Sequence, residues 1–591
     1  MKRNIQNKGV TLIALVVTLI ILIILAGVSI SMIVGDNGII TEAQKAAKQT
    51  EEMQVNSQSY MNDLQKELEE KIEGQVAVNE DMPNAPEQID GMTPIKFTEP
   101  TDTEMGSYEE TSWTDSSWYN YKESKWANTK SEDGSMWVWI PRYAYKITYN
   151  NPEDRSQGGT IDVKFLIGTT DEYYDSADGK LKTAKRQTTA DETVDTTSDF
   201  YVHPAFTNET SINFANGGWD KELTGIYVAK FEAGFPEGNN TTASKKSSVS
   251  YSQDTSWVRA VEAGTSADST QTARNWLDGI YGETETKISY PVFQPLTYSM
   301  NYINENDAYN ISKAMNESGN IYGFTTASSD THLIKSSEWG MISYLSYSQY
   351  GTNGNDIAIN NANLNSGGLK RETSTAGKTG VYSVYGITGM TQGLADGAET
   401  VVKIDEIKTL SGNTPTTTGS MYAWNQKGGV TASSTGNMTG VYDLSGGTWE
   451  RTASYVANNH KNLLTYGESV AYNQDVLKTA STKYTMVYPY DSSVDNSTKT
   501  DNEENLNAAS NANYKKNTKI YGDAIRETST AGTGTSSWQD DYSYFAGLYY
   551  PFVLRGGHFW DGSHAGRFFF TRANGHSSFT NGFRPVVVPV S

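Results

Sequence analysis

Residues 555–585 hold the side chains of the sequence that are best suited to chemistry. Three of the chain's six histidines lie in this segment, among aromatic, acidic and basic residues. Trp and Phe supply large, stiff apolar area, while His, Asp, Asn and Arg form directional hydrogen bonds, and binding hot spots are rich in this mixture. The chemistry of this segment therefore suits a ligand-binding role. Its candidate residues are His558, Phe559, Trp560, Asp561, Ser563, His564, Arg567, Phe569, Thr571, Arg572, Asn574, His576, Ser577, Ser578 and Phe579.

Two other interpretations of this segment exist. A metal site would need ligands at a suitable spacing, and the intervals between His558, His564 and His576 match no common pattern. Phe568 and Phe570 alternate as the buried side chains of a strand do, so the segment could instead be ordinary core and loop. We predict no metal site and no cofactor. No loop with the ligand spacing of a known calcium motif is evident, so the sequence does not decide whether the fold binds a structural calcium ion.

The composition excludes several classes of enzyme and partner. The chain of 591 residues has no cysteine, so thiol catalysis, disulfides, zinc–thiolate sites and iron–sulfur clusters are excluded. A net charge of −22 argues against nucleic acid as a partner, because phosphate binding needs a basic surface. No nucleophile-elbow, H-E-x-x-H or P-loop pattern occurs in a suitable context. We therefore predict that the protein is not an enzyme.

The candidate residues are interleaved with positions that look like a fixed frame. The frame consists of Arg555, Gly556, Gly557, Gly562, Ala565, Gly566, Phe568, Phe570, Gly575, Gly582, Phe583, Arg584 and Pro585. This pattern resembles the variable region of proteins that are diversified by retroelements. In that family, error-prone reverse transcription alters template adenines, and the varied side chains project from a C-type-lectin-like fold. The resemblance implies that residues 555–585 form a variable ligand-binding region.

Further motifs occur in a familiar order along the chain. They are Gly225–Glu232, His332–Trp339, Gly440–Glu450, Arg555–Gly557 and Gly582–Arg584. Together they resemble the formylglycine-generating enzyme family, which has an irregular C-type-lectin-like fold with a small central sheet. The aerobic enzymes of that family bind copper and activate oxygen with a pair of cysteines. Because this chain has no cysteine, the resemblance implies the fold without the reaction.

These patterns predict an α+β fold for the whole chain. It would begin with a long transmembrane helix and stalk and continue as a large C-type-lectin-like domain with long insertions. Trp339 and Trp449 are expected to be buried anchors, because each brings a large apolar area. Arg555 and Arg584 are expected to hold loops through carbonyl and carboxylate groups.

The N-terminal segment is predicted to be a membrane helix. Residues 10–34 carry no charge, and as a helix they would span about 38 Å, more than the hydrocarbon core of a bilayer. Lys2, Arg3 and Lys8 precede them, so the positive-inside rule places the first residues in the cytoplasm and the rest outside. A secretory signal peptide would have a shorter apolar region. A plain signal anchor remains the simpler alternative.

The start of this segment has a second resemblance. The sequence from Lys8 to Thr18 resembles the prepilin cleavage site of type IV pilins and pseudopilins. In that family a prepilin peptidase cuts after the Gly, here Gly9, and the new first residue, here Val10, is methylated. The family usually has Glu at the fifth mature position, where this chain has Ala14. That departure puts filament assembly in doubt and leaves processing in place.

The predicted organisation follows from these features and from local composition. It consists of a prepilin-like leader (1–9), the transmembrane helix (10–34), a helical stalk (35–74), an acidic linker rich in proline (75–110) and the C-type-lectin-like domain (111–591).

The function expected from the sequence is that of a surface-anchored, non-catalytic binding protein, either an adhesin or receptor-like. Its partner would be an unknown protein or glycan outside the cell. The location would be the cell membrane, in a single pass, with the C-terminal domain extracellular or assembled on a pilus. The alternative is a structural type IV pilin or pseudopilin subunit of a filament.

Overall fold

A computed structural model gives the structure of the second of two compact units into which the chain divides, residues 1–78 and 79–591. The described part of the chain begins at residue 83. Within it, the residues not described are 209–215, 235–290, 298, 302, 362–369, 376–377, 384–385, 393–420, 495–502, 577, 579 and 591.

Strands make up most of the regular structure. They are β1 (Thr93–Thr98), β2 (Ser107–Glu110), β3 (Asn128–Lys130), β4 (Met136–Pro141), β5 (Tyr143–Tyr149), β6 (Gly159–Phe165), β7 (Glu172–Asp175), β8 (Lys180–Thr183), β9 (Tyr201–Val202), β10 (Gly225–Ala229), β11 (Ser329–Leu333), β12 (Lys370–Thr375), β13 (Lys378–Ser383), β14 (Met390–Gln392), β15 (Met421–Ala423), β16 (Trp449–Val456), β17 (Tyr472–Asn473), β18 (Val476–Leu477), β19 (Met486–Tyr488), β20 (Thr533–Ser536), β21 (Tyr542–Tyr544), β22 (Phe552–Arg555), β23 (Phe570–Ala573), β24 (Asn581–Phe583) and β25 (Pro585–Pro589).

The α-helices of the described residues are few and short. They are α1 (Glu305–Lys313), α2 (Ser336–Tyr347), α3 (Lys461–Tyr466), α4 (Glu468–Ala471) and α5 (Glu503–Lys516). The described residues are therefore mainly β-structure, and the predicted α+β class is wrong. The reason is local. The apolar runs are short and rich in β-branched and aromatic residues, which favour strands over helices.

The prediction of a membrane-spanning helix is corrected by the structure. Among the residues described from 83 onward, no helix combines the length and the apolar character needed to cross a bilayer. The leader 1–9, the segment 10–34 and the stalk 35–74, on which the prediction rested, lie outside the described residues, as do Gly9 and Val10. The single-pass membrane location that depended on this helix is corrected with it.

One seven-stranded sheet joins distant parts of the chain. Its order is β11-β25-β10-β4-β3-β1-β2, and all neighbouring strands are antiparallel. The central strands β4, β10 and β25 are buried along their whole length. Strands that are covered on both faces are expected to be continuous apolar runs, as Pro585–Pro589 is. The last strand of the described chain thus lies beside residues 225–229.

This sheet also contains residues that were predicted to be linker. Strands β1 and β2 lie within the predicted acidic linker 75–110, and β2 is the edge strand of the sheet. Ile95 of β1 is buried, whereas all four residues of β2 are exposed. An exposed edge strand carries acidic side chains in water, so its composition resembles that of a linker.

A second sheet contains β22, β23 and β24, the strands that residues 555–583 enter. Its order is β19-β16-β22-β23-β21-β20, and β24 also pairs with β16. The pairs β16–β19, β16–β24 and β21–β23 are parallel, and the others are antiparallel. The chain then passes from β24 into β25 of the first sheet through a single residue, Arg584. That residue is therefore placed where the two sheets meet.

Arg584 is fully buried and binds Glu450 of β16 in a bidentate ion pair. Its Nε and Nη2 lie 2.9 and 2.6 Å from the two carboxylate oxygens. Its remaining donors bind the carbonyl oxygens of Ala229 and Tyr442, at 2.7 and 2.8 Å. The expectation that this arginine holds loops together is confirmed.

Arg555 and Trp339 also behave as expected. Arg555 is fully buried and donates to the carbonyl oxygen of Asp523 at 2.8 Å. Trp339 of α2 is fully buried, and its Nε1 donates to the carbonyl oxygen of Arg567 at 2.8 Å. An indole that fills the core and also satisfies its polar atom makes a strong anchor.

We expect Arg584→Met to lower the free energy of unfolding by about 3–5 kcal/mol, because it leaves the Glu450 carboxylate buried without its partner. Urea denaturation followed by fluorescence measures this change. The matched control is Lys125→Met, which removes a half-exposed ion pair with Glu123 at 2.6 Å. The control should change stability by less than about 1 kcal/mol. Similar effects of the two substitutions would contradict the central role of Arg584.

A buried histidine makes stability depend on pH. His203 is packed among the rings of Tyr143, Tyr145 and Phe206. Its Nδ1 accepts a hydrogen bond from the backbone N–H of Ala205 at 3.3 Å. Burial disfavours the charged ring and lowers the pKa of His203 from 6.5 to about 3.

Because the pKa of His203 is lower in the folded state, acid protonates the unfolded chain first. The contribution of His203 to stability is therefore complete above pH 6.5 and is lost as the pH falls from 6.5 towards 3. The slope is at most about 1.4 kcal/mol per pH unit. We expect His203→Phe to remove this part of the slope in urea denaturation between pH 6 and pH 4. Equal slopes for both proteins would show that His203 is not the group responsible.

Candidate functional site

The frame of residues 555–585 is part of the protein core. All its members are buried except Gly562, which lies in a 3-10 turn, Gly562–His564, at the surface. Two positions of the frame require glycine. Gly557 has a φ of +76°, which other residues rarely adopt, and a Cβ at Gly566 would collide with the carboxylate of Asp541. The frame thus fixes the path of the backbone through this region.

Five of the predicted ligand-binding residues point into the protein. They are His558, Phe559, Arg567, Phe569 and Thr571, each at most 7% exposed. These residues are not available to a ligand in this structure, which corrects the predicted surface at these positions. Residue type alone did not predict this burial, because aromatic and basic side chains serve both as buried anchors and as contact residues.

Arg567 shows the physical reason most directly. Its guanidinium donates to Ser346 Oγ at 2.6 Å, to Thr352 Oγ1 at 3.0 Å and to the carbonyl oxygen of Asn355. It also lies over the ring of Tyr347, with 5.4 Å to the ring centroid. Arg567 therefore holds the end of α2 and the following loop instead of reaching solvent.

Eight predicted residues are accessible to solvent. Trp560, Ser563 and His564 are exposed, and the half-buried ones are Asp561, Arg572, Asn574, His576 and Ser578. The side chain of Trp560 is 50% exposed. Ser577 and Phe579 lie outside the described residues. The accessible candidates are thus concentrated in the turn after β22 and in the segment that follows β23.

The turn that carries Trp560 is held by Asp561. Oδ2 of Asp561 accepts hydrogen bonds from Trp449 Nε1 at 2.7 Å and from the backbone N–H of His558 at 2.8 Å. The rings of Trp449 and His558 stack, with centroids 4.3 Å apart. Trp560 packs edge-on against Phe559 at 4.9 Å. These contacts give the half-exposed indole a fixed support.

Trp449 is half-buried, so the prediction of a buried anchor was wrong at this position. It is one of several accessible aromatic residues that sequence reasoning missed. The others are Tyr542, Tyr544 and Tyr550, all half-buried. We call Trp449, Tyr542, Tyr544, Tyr550 and Trp560 together the aromatic stripe.

Ring contacts connect the aromatic stripe along its length. From Trp449, the contacts pass through Phe569 at 6.5 Å to Tyr542 at 6.1 Å and then to Tyr544 at 5.8 Å. The guanidinium of Arg572 lies 3.9 Å from the ring centroid of Tyr544. The same guanidinium is 4.8 Å from the ring of Tyr550, which extends the stripe. A signal for this region was present in the sequence, since four tyrosines occur between residues 542 and 550.

The carboxyl group of Glu232, whose pKa is strongly shifted, lies in the interior and not on the aromatic stripe. Burial, reinforced by the nearby Asp443, raises the pKa of Glu232 well above its usual value of 4.5. The carboxylate of Glu232 accepts hydrogen bonds from Ser299 and Thr448, and that of Asp443 accepts one from Asn360 Nδ2 at 2.8 Å. These carboxylates are therefore engaged by donors of the protein itself, as the core requires.

No model of a known protein family matches this chain, and a comparison with curated proteins finds no match either. The family resemblances of the sequence motifs therefore remain predictions.

We expect Asp561→Ala to loosen the turn that carries Trp560, because it removes a charged acceptor of two hydrogen bonds. Such bonds contribute roughly 1.5–3 kcal/mol. Hydrogen exchange of the amides of residues 558–564 should become faster in the variant. Ser563→Ala, in the same turn and exposed, is the matched control and should leave the exchange unchanged. Slow exchange in both variants would mean that Asp561 does not hold the turn.

Proposed function

We propose that this protein is a non-catalytic binding protein that holds its ligand on the aromatic stripe and the accessible residues beside it. The observation that carries the proposal is the half-exposed indole of Trp560 on a fixed support. An exposed aromatic surface is unusual on a protein without a partner. The ligand is an unknown protein or glycan, and nucleic acid is disfavoured by the net charge of −22.

The energy available from Trp560 alone is substantial. An indole side chain offers roughly 200–250 Å² of surface, so covering its exposed half removes roughly 100–125 Å² from water. At about 25 cal/mol per Å², this contributes roughly 2.5–3 kcal/mol to binding. Tyr542, Tyr544 and Tyr550 add partly accessible rings with hydroxyl groups at their ends. The stripe therefore suits a ligand with apolar or flat faces flanked by polar groups.

Rigidity of the site also supports a binding role. The stacked rings of Trp449 and His558 and the hydrogen bonds of Asp561 hold the turn before a ligand arrives. A pre-organised surface loses less conformational entropy on binding than a mobile loop does. A non-catalytic role is supported by the same contacts, because they engage the histidine and the carboxylate that lie nearest to Trp560.

Variation of residues 555–585 by a retroelement is part of this proposal. Its support is the division of the segment into a buried frame and accessible positions such as Trp560, Ser563 and His564. Substitutions at the accessible positions would change the ligand without disturbing the core. Arg567 and Phe569 are buried, so variation there would act on stability as well.

We expect Trp560→Ala to weaken ligand binding roughly 100-fold, because it removes about 2.5–3 kcal/mol of contact energy and about 1.4 kcal/mol corresponds to a factor of ten. The measurement is the binding of the labelled protein to glycan and peptide arrays, followed by titration of the bound probes. The matched control is Tyr108→Ala, which removes an exposed aromatic side chain from the edge strand β2. The proposal fails if Trp560→Ala retains every probe that the parent binds, with unchanged affinity.

A further inference from the structure

A groove lies beside the C-terminal end of α2 and shares no residue with the aromatic stripe. Its volume is about 540 Å³, and sites for small molecules occupy roughly 300–1,000 Å³. Its lining comes from three separate parts of the chain, namely Ser124, residues 349–356 and residues 431–436. Because all of its lining side chains are polar or glycine, we call it the polar groove.

Hydrogen bonds between distant residues hold the walls of the polar groove together. Ser124 Oγ donates to the carbonyl oxygen of Gly351 at 3.0 Å, and Ser346 Oγ donates to that of Ser434 at 3.0 Å. The buried guanidinium of Arg567 holds the same end of α2 from below, through its contacts with Ser346 and the loop that follows. The groove therefore has its shape before a ligand arrives, which lowers the entropy cost of binding.

The loop after α2 places side chains in the groove by a tight turn. Asn353 has a φ of +50° and Gly354 a φ of +83°, a conformation that Asn and Gly adopt more readily than other residues. The backbone N–H of Asn353 donates to the carbonyl oxygen of Ser348 at 3.0 Å, and that of Gly354 donates to Tyr347 at 2.8 Å. The last turn of α2 thus fixes the position of Asn353 in the lining.

Three side chains of the lining have hydrogen-bonding groups that a ligand can use. The carboxamides of Gln349 and Asn353 are exposed and form no hydrogen bond with any residue that the structure describes. The carboxylate of Asp356 is also exposed, and only its Oδ1 is engaged, by the backbone N–H of Ile357 at 2.8 Å. A carboxamide both donates and accepts, whereas a carboxylate accepts only.

The composition of the lining restricts the class of ligand. Among the described residues, no basic, aromatic or purely hydrocarbon side chain lines the groove, and Asp356 is its single charged group. An anion would meet this carboxylate with no exposed cation to offset it, since Arg567 is fully buried. An apolar ligand would find little apolar surface to cover. An ammonium group only donates, so it would leave the donors of Gln349 and Asn353 unused.

We propose that the polar groove is a second binding site of this protein and takes a neutral monosaccharide unit. Each sugar hydroxyl both donates and accepts a hydrogen bond, as the carboxamides of Gln349 and Asn353 do. The carboxylate of Asp356 accepts from a hydroxyl and forms the strongest of these bonds, because the acceptor is ionised. The site is separate from the aromatic stripe and does not depend on the function proposed for it.

One consequence of this site does rest on the proposed function. The lining lies outside residues 555–585, so variation of that segment would leave its residues unchanged. The protein would then combine a constant sugar site with a variable surface. A target that engages both is held more tightly than by either site alone.

Ligand-observed saturation-transfer NMR with the full chain tests the sugar site. The probes are glucose, galactose, mannose and N-acetylglucosamine at millimolar concentration, with glucuronate and galacturonate as charged counterparts. At least one neutral sugar should bind, and its uronate counterpart or the other uronate should bind at least about tenfold more weakly, because Asp356 repels a carboxylate. Absence of binding by all four neutral sugars, or equal binding of the uronates, would overturn the proposal.

Two variants locate the sugar in the groove. Asp356→Asn keeps the size of the side chain and removes its charge, so it should weaken binding of the sugar roughly tenfold. Gln349→Ala should weaken it by a smaller factor. The matched control is Asp162→Asn, an exposed acid on β6, which should bind as the parent does.

Thermal unfolding of each variant should match that of the parent, since all three positions are exposed. Unchanged affinity in Asp356→Asn would overturn the assignment of the groove. Loss of sugar binding in Trp560→Ala together with retention in Asp356→Asn would place the sugar on the aromatic stripe, and this too would overturn the proposal.

Discussion

The buried ion pair between Arg584 and Glu450 is the constraint on which the rest of the structure depends. The guanidinium binds a carboxylate of the second sheet and the carbonyl oxygens of Ala229 and Tyr442. A charge is stable in a protein interior only if its partners are in place and its donors are satisfied. This requirement brings β10, β16 and the passage from β24 to β25 to one point, and the two large sheets are fixed there.

The candidate site follows from that junction. Trp449 directly precedes Glu450 in β16, so the ion pair also fixes the indole on which His558 stacks. Asp561 then binds the same indole and holds the turn that presents Trp560. A chain of neighbouring contacts therefore leads from a fully buried ion pair to the half-exposed ring of Trp560. The surface is rigid because it is built directly on the core.

Part of this arrangement could be predicted from residue types. Trp339 was expected to be a buried anchor and Arg584 to hold loops by polar bonds, and both are confirmed. Arg567 could not be assigned in this way, because its partners Ser346 and Thr352 lie more than 200 residues away in the sequence. A basic side chain reaches solvent or the core according to what long-range folding places beside it.

The sequence by itself excluded cysteine-based chemistry. It also determined the acidic net charge and the position of the short apolar runs that become strands. These properties depend on composition and on local preference alone. Only the tertiary structure decided which side of each run faces solvent and which distant residues cover it. It buried the frame apart from Gly562, buried five of the candidate binding residues as well, and left eight candidates accessible beside Tyr542 and Tyr544. Successive side chains of a strand point in opposite directions, and pairing with remote strands decides which direction is covered.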